Sequence, residues 1–295
     1  MSKKIALITC SDPGGAISLA YYLKNKNINF ISVIEKNAKK IFKNLFGNKL
    51  ITTNLKQGLK KADYVITATS WNSEIEKKTI FMAKKKRIPT YTIIDHWINY
   101  EQRFFYKNKI ILPNYLIVQD LYAEKLAKSV FKNTKILRVP NYYFKEFMLD
   151  YKKLKFRVVR NNLLYLSEPI KANYKKKNLN EFKDYNEFDS LRYFLGNVQK
   201  IVKKINKISI RLHPQEKINK FNNLIKEFDN LPIKICKNEN LTRDIYQNQY
   251  IFGSETNAMV LGLLAKKKVI CTIPANSKNK CSLPFKKISY MRNLI

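Results

Sequence analysis

Short apolar runs that recur along the whole chain, without polar alternation, constrain its fold more than any other feature. They fall at 5–10 (IALITC), 29–34 (NFISVI), 63–68, 90–95, 114–119 and 135–139. The second half adds 162–167, 207–212, 232–236, 250–253 and 268–273. Strands apolar on both sides are buried on both faces, which is the habit of parallel sheets. Helical patterns separate them at 16–25, 36–45, 73–86 and 121–131, then at 187–205, 219–229 and 256–265. Strands alternating with helices make βαβ units. The expectation is an α/β protein of two Rossmann-like, doubly wound domains facing a cleft. The alternation breaks at 141–161 and then restarts, which sets the domains at 1–145 and 146–295. The stretch 170–186 reads as a solvated, positively charged loop.

The 295 residues suffice for two domains of about 150 residues each. Net charge is +35, from 57 Lys and Arg against 22 Asp and Glu. Such a field favours anionic partners such as nucleic acid, nucleotides or an anionic membrane face. The basic residues are spread along the chain, and no basic-aromatic recognition motif stands out, so no specific nucleic acid is expected. The four cysteines lie at 10, 236, 271 and 281 with no C-x-x-C pair. This fits a reduced compartment and ordinary packing, not a disulfide framework or zinc site. The apolar run of "MSKKIALITC" is too short for a signal peptide, and no run reaches about 18 residues. The expected location is cytoplasmic, with peripheral contact at the inner face of the plasma membrane.

Six strand-end motifs carry candidate chemistry. In "CSDPGGA" (10–16), Gly14 and Gly15 let backbone approach a ligand, and Asp12 is either a helix cap or a general base. In "TATSWNSEIE" (67–76), Ser73 and Glu76 have capping-box spacing, with Trp71 at the strand end. "IIDHWINYEQRF" (93–104) sets Asp95, His96, Trp97, Tyr100, Glu101 and Arg103 directly after a buried strand, where Asp95 either orients the imidazole or acts as base. "YLSEP" (165–169) puts Ser167 and Glu168 after the second domain's first strand. "IRLHPQE" (210–216) offers Arg211 and His213 at alternating strand positions, both directed at a phosphate, with Pro214 fixing the turn. "YIFGSETNAMV" (250–260) offers Ser254, Thr256 and a helix start as an anion pocket, and Glu255 as an acceptor for ribose or base hydroxyls.

The R-x-H-P at one strand end and the G-S-E-T helix start some 40 residues later resemble the nucleotide-binding half of GT-B glycosyltransferases. The closest likeness is to bacterial sialyltransferase-like and capsule-polysaccharide enzymes. "SDPGGA" and "DHWxNYxxRF" resemble stretches of surface-carbohydrate proteins. The resemblance implies a GT-B-like fold and a glycosyltransferase moving sugar from a nucleotide-sugar, CMP-linked in the sialyltransferase case, to a glycan or lipid-linked glycan acceptor. His213 and Pro214 match the His-Pro motif, and Ser254 with Thr256 match the hydroxyl motif that holds the donor phosphate. In that reading Arg211, His213, Pro214, Ser167, Glu168, Ser254, Glu255 and Thr256 hold the donor. Gly14, Gly15, Trp97, Tyr100 and Arg103 hold the acceptor, and Asp12, Asp95 and His96 do the proton chemistry. No D-x-D occurs, so neither metal nor other cofactor is expected. The alternatives are a CDP-glycerol-type polyol-phosphate transferase, a sugar-nucleotide 2-epimerase using Glu255 and Glu168, and a non-catalytic nucleotide- or glycan-binding assembly subunit.

Overall fold

The first apolar run becomes β1, Ala6–Cys10, and each of its residues is buried. Side chains alternate across a strand, so β1 serves two cores. Ala6, Ile8 and Cys10 pack with α1 (Pro13–Lys26) and α2 (Ala38–Phe46), whereas Leu7 packs on the opposite face with Leu59 and Ala83. Helices on both faces are what doubly buried strands require. The computed structural model describes residues 4–35, 38–70, 73–155, 159–171, 183–236 and 240–295. Trp71 and most of the 170–186 stretch lie outside the described residues.

The chain divides into two units, Met1–Lys145 and Glu146–Ile295. Unit 1 adds β2 (Phe30–Ile34), α3 (Leu55–Lys61), β3 (Tyr64–Thr67), α4 (Ile75–Lys85) and β4 (Thr90–Ile93). It continues with β5 (Phe105–Tyr106), β6 (Lys109–Ile110), β7 (Tyr115–Val118), α5 (Leu121–Val130) and β8 (Lys135–Arg138). Its parallel sheet runs β2-β1-β3-β4-β7-β8, and β5 and β6 form a separate antiparallel pair. A further helix, α6 (Tyr142–Lys153), crosses the division, where the sequence pattern suggested only a break. Asn141 starts it by accepting the Phe144 N–H at 3.0 Å.

Unit 2 contains β9 (Asn162–Leu166), α7 (Glu187–Ile201), β10 (Lys207–Arg211), α8 (Asn222–Lys226), β11 (Ile233–Cys236) and α9 (Leu241–Gln247). β12 (Tyr250–Gly253), α10 (Ala258–Leu264), β13 (Lys268–Cys271) and β14 (Ser289–Tyr290) follow. Its sheet runs β11-β10-β9-β12-β13-β14, parallel throughout. Leu191, Phe194, Leu195 and Val198 of α7 repeat at helical spacing and cover Leu163, Tyr165, Ile208, Ile210 and Phe252. α7 opens with a full capping box, Asn186 and Asp189 each bonding the other's backbone N–H.

Strand order fixes where polar loops converge. In a doubly wound sheet, ligands bind beyond the carboxyl ends of the strands where the order reverses. That point lies between β1 and β3 in unit 1 and between β9 and β12 in unit 2. Among the described residues, no helix is long and apolar enough to cross a membrane.

Candidate functional site

In unit 1 the switch point gathers carboxyl groups. Asp12 is the N-cap of α1, accepting the Gly14 N–H at 3.0 Å, and Pro13 supplies the first helical residue. Asp95 follows β4; its Oδ1 accepts from Thr69 Oγ1 at 3.0 Å and from Arg103 Nη1 at 3.2 Å. Arg103 also donates to Thr69 Oγ1 and to the Ile98 carbonyl. The two glycines serve this assembly directly. A Cβ on Gly14 would lie 2.6 Å from Asp95 Oδ2, and one on Gly15 would lie 2.7 Å from the Ala68 Cβ. The space the sequence reading left for a ligand in front of Gly14 is thus filled by the protein's own carboxylate, set against the first turn of α1.

A third carboxyl group was not read as functional from sequence. Ser73 and Glu76 do not form the expected capping box. Ser73 Oγ accepts the Ile75 N–H, and α4 has no side-chain cap. Glu76 instead reaches 65 residues back to accept both the backbone N–H and the hydroxyl of Ser11, each at 2.7 Å. It is 2% exposed, and its Oε2 has no hydrogen-bond partner. Burial pushes its carboxyl up to about 7; the Ser11 bonds oppose that rise and the Asp12 charge adds to it. Burial likewise raises the Cys10 thiol, helped by the charges of Glu76, Asp12 and Asp95, so all three carboxyl groups act on the end of β1.

Three residues expected to face an acceptor are built into the interior. Trp97 is 8% exposed, and its indole N–H donates to Asp120, the N-cap of α5, at 2.8 Å. Tyr100 is 3% exposed, stacked near Phe131 with its hydroxyl toward the Ala123 carbonyl. Arg103 is 4% exposed and committed to Asp95 and Thr69. Aromatic bulk is stabilising when buried, so the 93–104 stretch is fastened onto α5 by the rings expected to stack on sugar. His96 is half-buried, and its Nδ1 accepts the Trp97 N–H at 3.0 Å, which leaves the neutral ring's proton on Nε2.

In unit 2 the switch point interleaves acids with lysines. His213 to Glu216 form a turn closed by Glu216 N–H to the His213 carbonyl at 2.8 Å, with Pro214 at its second position. Glu216 also accepts the His213 N–H at 2.7 Å and the Ser167 hydroxyl at 3.0 Å, joining the loops after β10 and β9. Lys220 bonds both Glu216 and Glu187. Burial holds the His213 imidazole below its ordinary pKa; Lys220 adds to this and Glu216 opposes it. Its Nδ1 accepts the Gln215 N–H at 3.3 Å, so the neutral ring keeps its proton on Nε2. It therefore offers a ligand a neutral N–H donor.

The other donor-side residues are also engaged. Arg211 pairs with the buried Asp244 of α9, so its charge is compensated within the unit. Ser254 faces inward and shares a hydrogen bond with Ser190 at 2.8 Å, in a network that also holds Thr272 and Tyr165. Neither Ser254 nor Thr256 caps the helix start at which the anion pocket was expected. α10 starts at Ala258 after Asn257, with the Thr256 carbonyl accepting the Met259 N–H. Glu255 pairs with Lys183 and accepts the Ser282 N–H at 3.1 Å, which occupies both its oxygens. Glu168 lies beside Lys183, whose pKa burial lowers. The sequence placed Ser167, Glu168, Ser254, Glu255 and Thr256 after the two strands that flank the switch point. Glu216, Lys220, Glu187, Asp244 and Lys183 were missed. Only Glu216, three residues past His213, carried a local signal.

No family model and no curated protein matches the chain. Solved structures do. UDP-GlcNAc 2-epimerase from Neisseria meningitidis bound to UDP-GlcNAc is 12% identical, with a TM-score of 0.64 over 99% of this chain and 89% of that one. S. aureus MnaA in its UDP co-structure is 10% identical, with a TM-score of 0.62 over 92% and 80%. MurG of Acinetobacter baumannii is 10% identical, with a TM-score of 0.50 over 92% and 79%. At these identities the likeness is one of fold: two Rossmann-like units of the GT-B type.

Proposed function

We propose that the chain is an enzyme acting on a nucleotide sugar, with the nucleotide held by unit 2 and acid–base chemistry supplied by unit 1. The carrying observation is the collection of Asp12, Asp95 and Glu76 at the unit 1 switch point, in three different environments. Two carboxyl groups at one point suit a reaction that removes a proton and returns one. Epimerisation at C2 of the sugar is such a reaction, and it is the reading the carboxyl cluster favours. The fold shared with UDP-GlcNAc 2-epimerases over nearly the whole chain supports the same reading, and makes a UDP-sugar a better candidate than a CMP-sugar. Asp95, locked by Arg103 and Thr69, is the candidate base. Asp12 is the candidate partner, and Glu76 positions Ser11 and the loop that carries Asp12. In unit 2, His213 Nε2–H donates to a phosphate or ribose oxygen, held in place by the turn that Glu216 closes. Glu255 and Glu168, the acids first considered for C2, are less suited because both sit against Lys183.

A second reading, glycosyl transfer to a glycan acceptor of surface-polysaccharide assembly, is favoured by the fold shared with MurG. It needs one base, Asp12 or Asp95, and an acceptor hydroxyl. Incubating the chain with UDP-GlcNAc and related UDP-sugars in D2O separates the two. Deuterium appearing at C2 without an acceptor, and abolished in Asp95→Asn, supports epimerisation. Nucleotide release that requires an added glycan, with no C2 exchange, replaces it by transfer. Absence of both, with no UDP binding sensitive to His213→Ala, removes the nucleotide-sugar reading.

A further inference from the structure

The connection from β4 to β7 carries no α-helix; the hairpin of β5 and β6 takes its place. Its two turn residues, Lys107 and Asn108, both hold positive φ, at 49° and 60°, the geometry of a tight type I′ turn. The ladder pairs Phe105 with Ile110 and Tyr106 with Lys109, and the Ile111 N–H extends it to the Phe104 carbonyl at 2.9 Å. Paired residues share a face, and successive residues alternate. Tyr106 points inward, 6% exposed, with its ring 6.0 Å from that of Phe81 on α4. Phe105 and Ile110 are therefore turned outward side by side, 52% and 45% exposed.

Cations frame this apolar pair. Residues 104–119 include Lys107 and Lys109 and no acid. α4, on which the hairpin packs, carries Lys84 and Lys85 in its last turn and no acid after the buried Glu76. All four lysines are exposed. Lys84 Nζ donates to the Leu112 carbonyl, just past β6, at 3.1 Å. Lys85 lies 4.6 Å over the Phe81 ring and Lys107 lies 5.8 Å over the Tyr106 ring. The nearest acid along the chain is Glu101, four residues before Phe105.

We propose that this hairpin docks unit 1 on an anionic lipid bilayer, with Phe105 and Ile110 entering the interface and the four lysines meeting lipid phosphates. An apolar pair with a cationic rim complements a surface that is negative outside and apolar beneath. The net charge of +35 adds long-range attraction to the same surface. A nucleic acid would supply the charge but no layer for an isoleucine to enter. A second copy of the chain, meeting this face with its own, would set lysine against lysine.

The test sediments the full chain with vesicles of phosphatidylcholine alone and of phosphatidylcholine with phosphatidylglycerol. Binding is expected to the anionic vesicles only. It falls about tenfold in Phe105→Ser/Ile110→Ser, a variant of unchanged charge. It falls about thirtyfold in Lys107→Gln/Lys109→Gln. Thermal melting checks that each variant folds, and Ile110→Ser alone is read if the double serine variant does not. Wild-type binding by the serine variant means attraction by charge without insertion, and overturns the hairpin as anchor. Equal binding to both vesicles, or binding to neither, overturns the anionic bilayer. A wild-type dimer that the serine variant splits assigns the pair to a second copy instead, and single-stranded RNA binding lost in that variant assigns it to nucleic acid.

Discussion

Two units of the same layered architecture place opposite chemistry at their switch points. Unit 1 concentrates acid there: Asp12, Asp95 and Glu76 converge on the end of β1, with Arg103 paired to Asp95. Unit 2 alternates charge, with Lys220 between Glu187 and Glu216, Lys183 on Glu255, and Arg211 on Asp244. The chain as a whole carries +35, so the acid cluster runs against the average field. Net charge describes a protein's long-range attraction and says nothing of the sign at its site. Local burial sets that, and it acts on protons in opposite senses in the two units. It raises Glu76, which therefore stores a proton, and lowers His213, which sheds one.

The sharpest way to break the contrast is Arg103→Ala. Removing the partner of a buried carboxylate costs about 3–5 kcal/mol, so the unit 1 transition in urea collapses while that of unit 2 stays in place. Glu76→Gln tests the proton store. Its folded pKa of about 7 lies above the ordinary 4.5, so the folded state binds more protons between those values. Wild-type unit 1 loses stability as pH rises through that window, by about 3 kcal/mol, and is level above it. The glutamine variant lacks the slope and is the more stable protein at pH 8. Unit 2 slopes the other way. His213 is lowered in the fold, so its contribution is present above the ordinary value of 6.5 and is lost as pH falls below it. Unfolding of each unit, followed by hydrogen exchange from pH 5 to 8, thus shows stabilities moving in opposite directions. At the small end, Arg192→Ala removes an exposed pair with Glu227 and leaves the unit 2 transition where it was.

The sheet was legible because a doubly buried strand has a local signature, and each expected apolar run holds a strand. Three helices were missed, α3, α6 and α9, the first two for local reasons. α3 carries Gly58 in its middle, an unfavourable helix residue kept because a Cβ there would meet Leu7 at 2.7 Å. α6 opens on aromatic residues of modest helix propensity, and its Asn141 signal was overlooked. The site was legible at the level of loops and not of partners. Strand ends name the residues that enter a switch point, but Glu76 meets Ser11 across 65 positions and Arg211 meets Asp244 across 33. Such pairings follow from tertiary placement. For the same reason Trp97 and Tyr100 read as ligand-facing until α5 was seen to cover them.

The two strand orders bear on ancestry. Counting only the strands of each six-stranded sheet along the chain, unit 1 runs 2-1-3-4-5-6 and unit 2 runs 3-2-1-4-5-6. Without its edge strand β11, unit 2 reads 2-1-3-4-5, which is the order of the first five strands of unit 1. The two orders thus share a five-strand core and differ only at their edges. A comparison of the halves for shared descent starts from that core, with β1 set against β9 and β3 against β12.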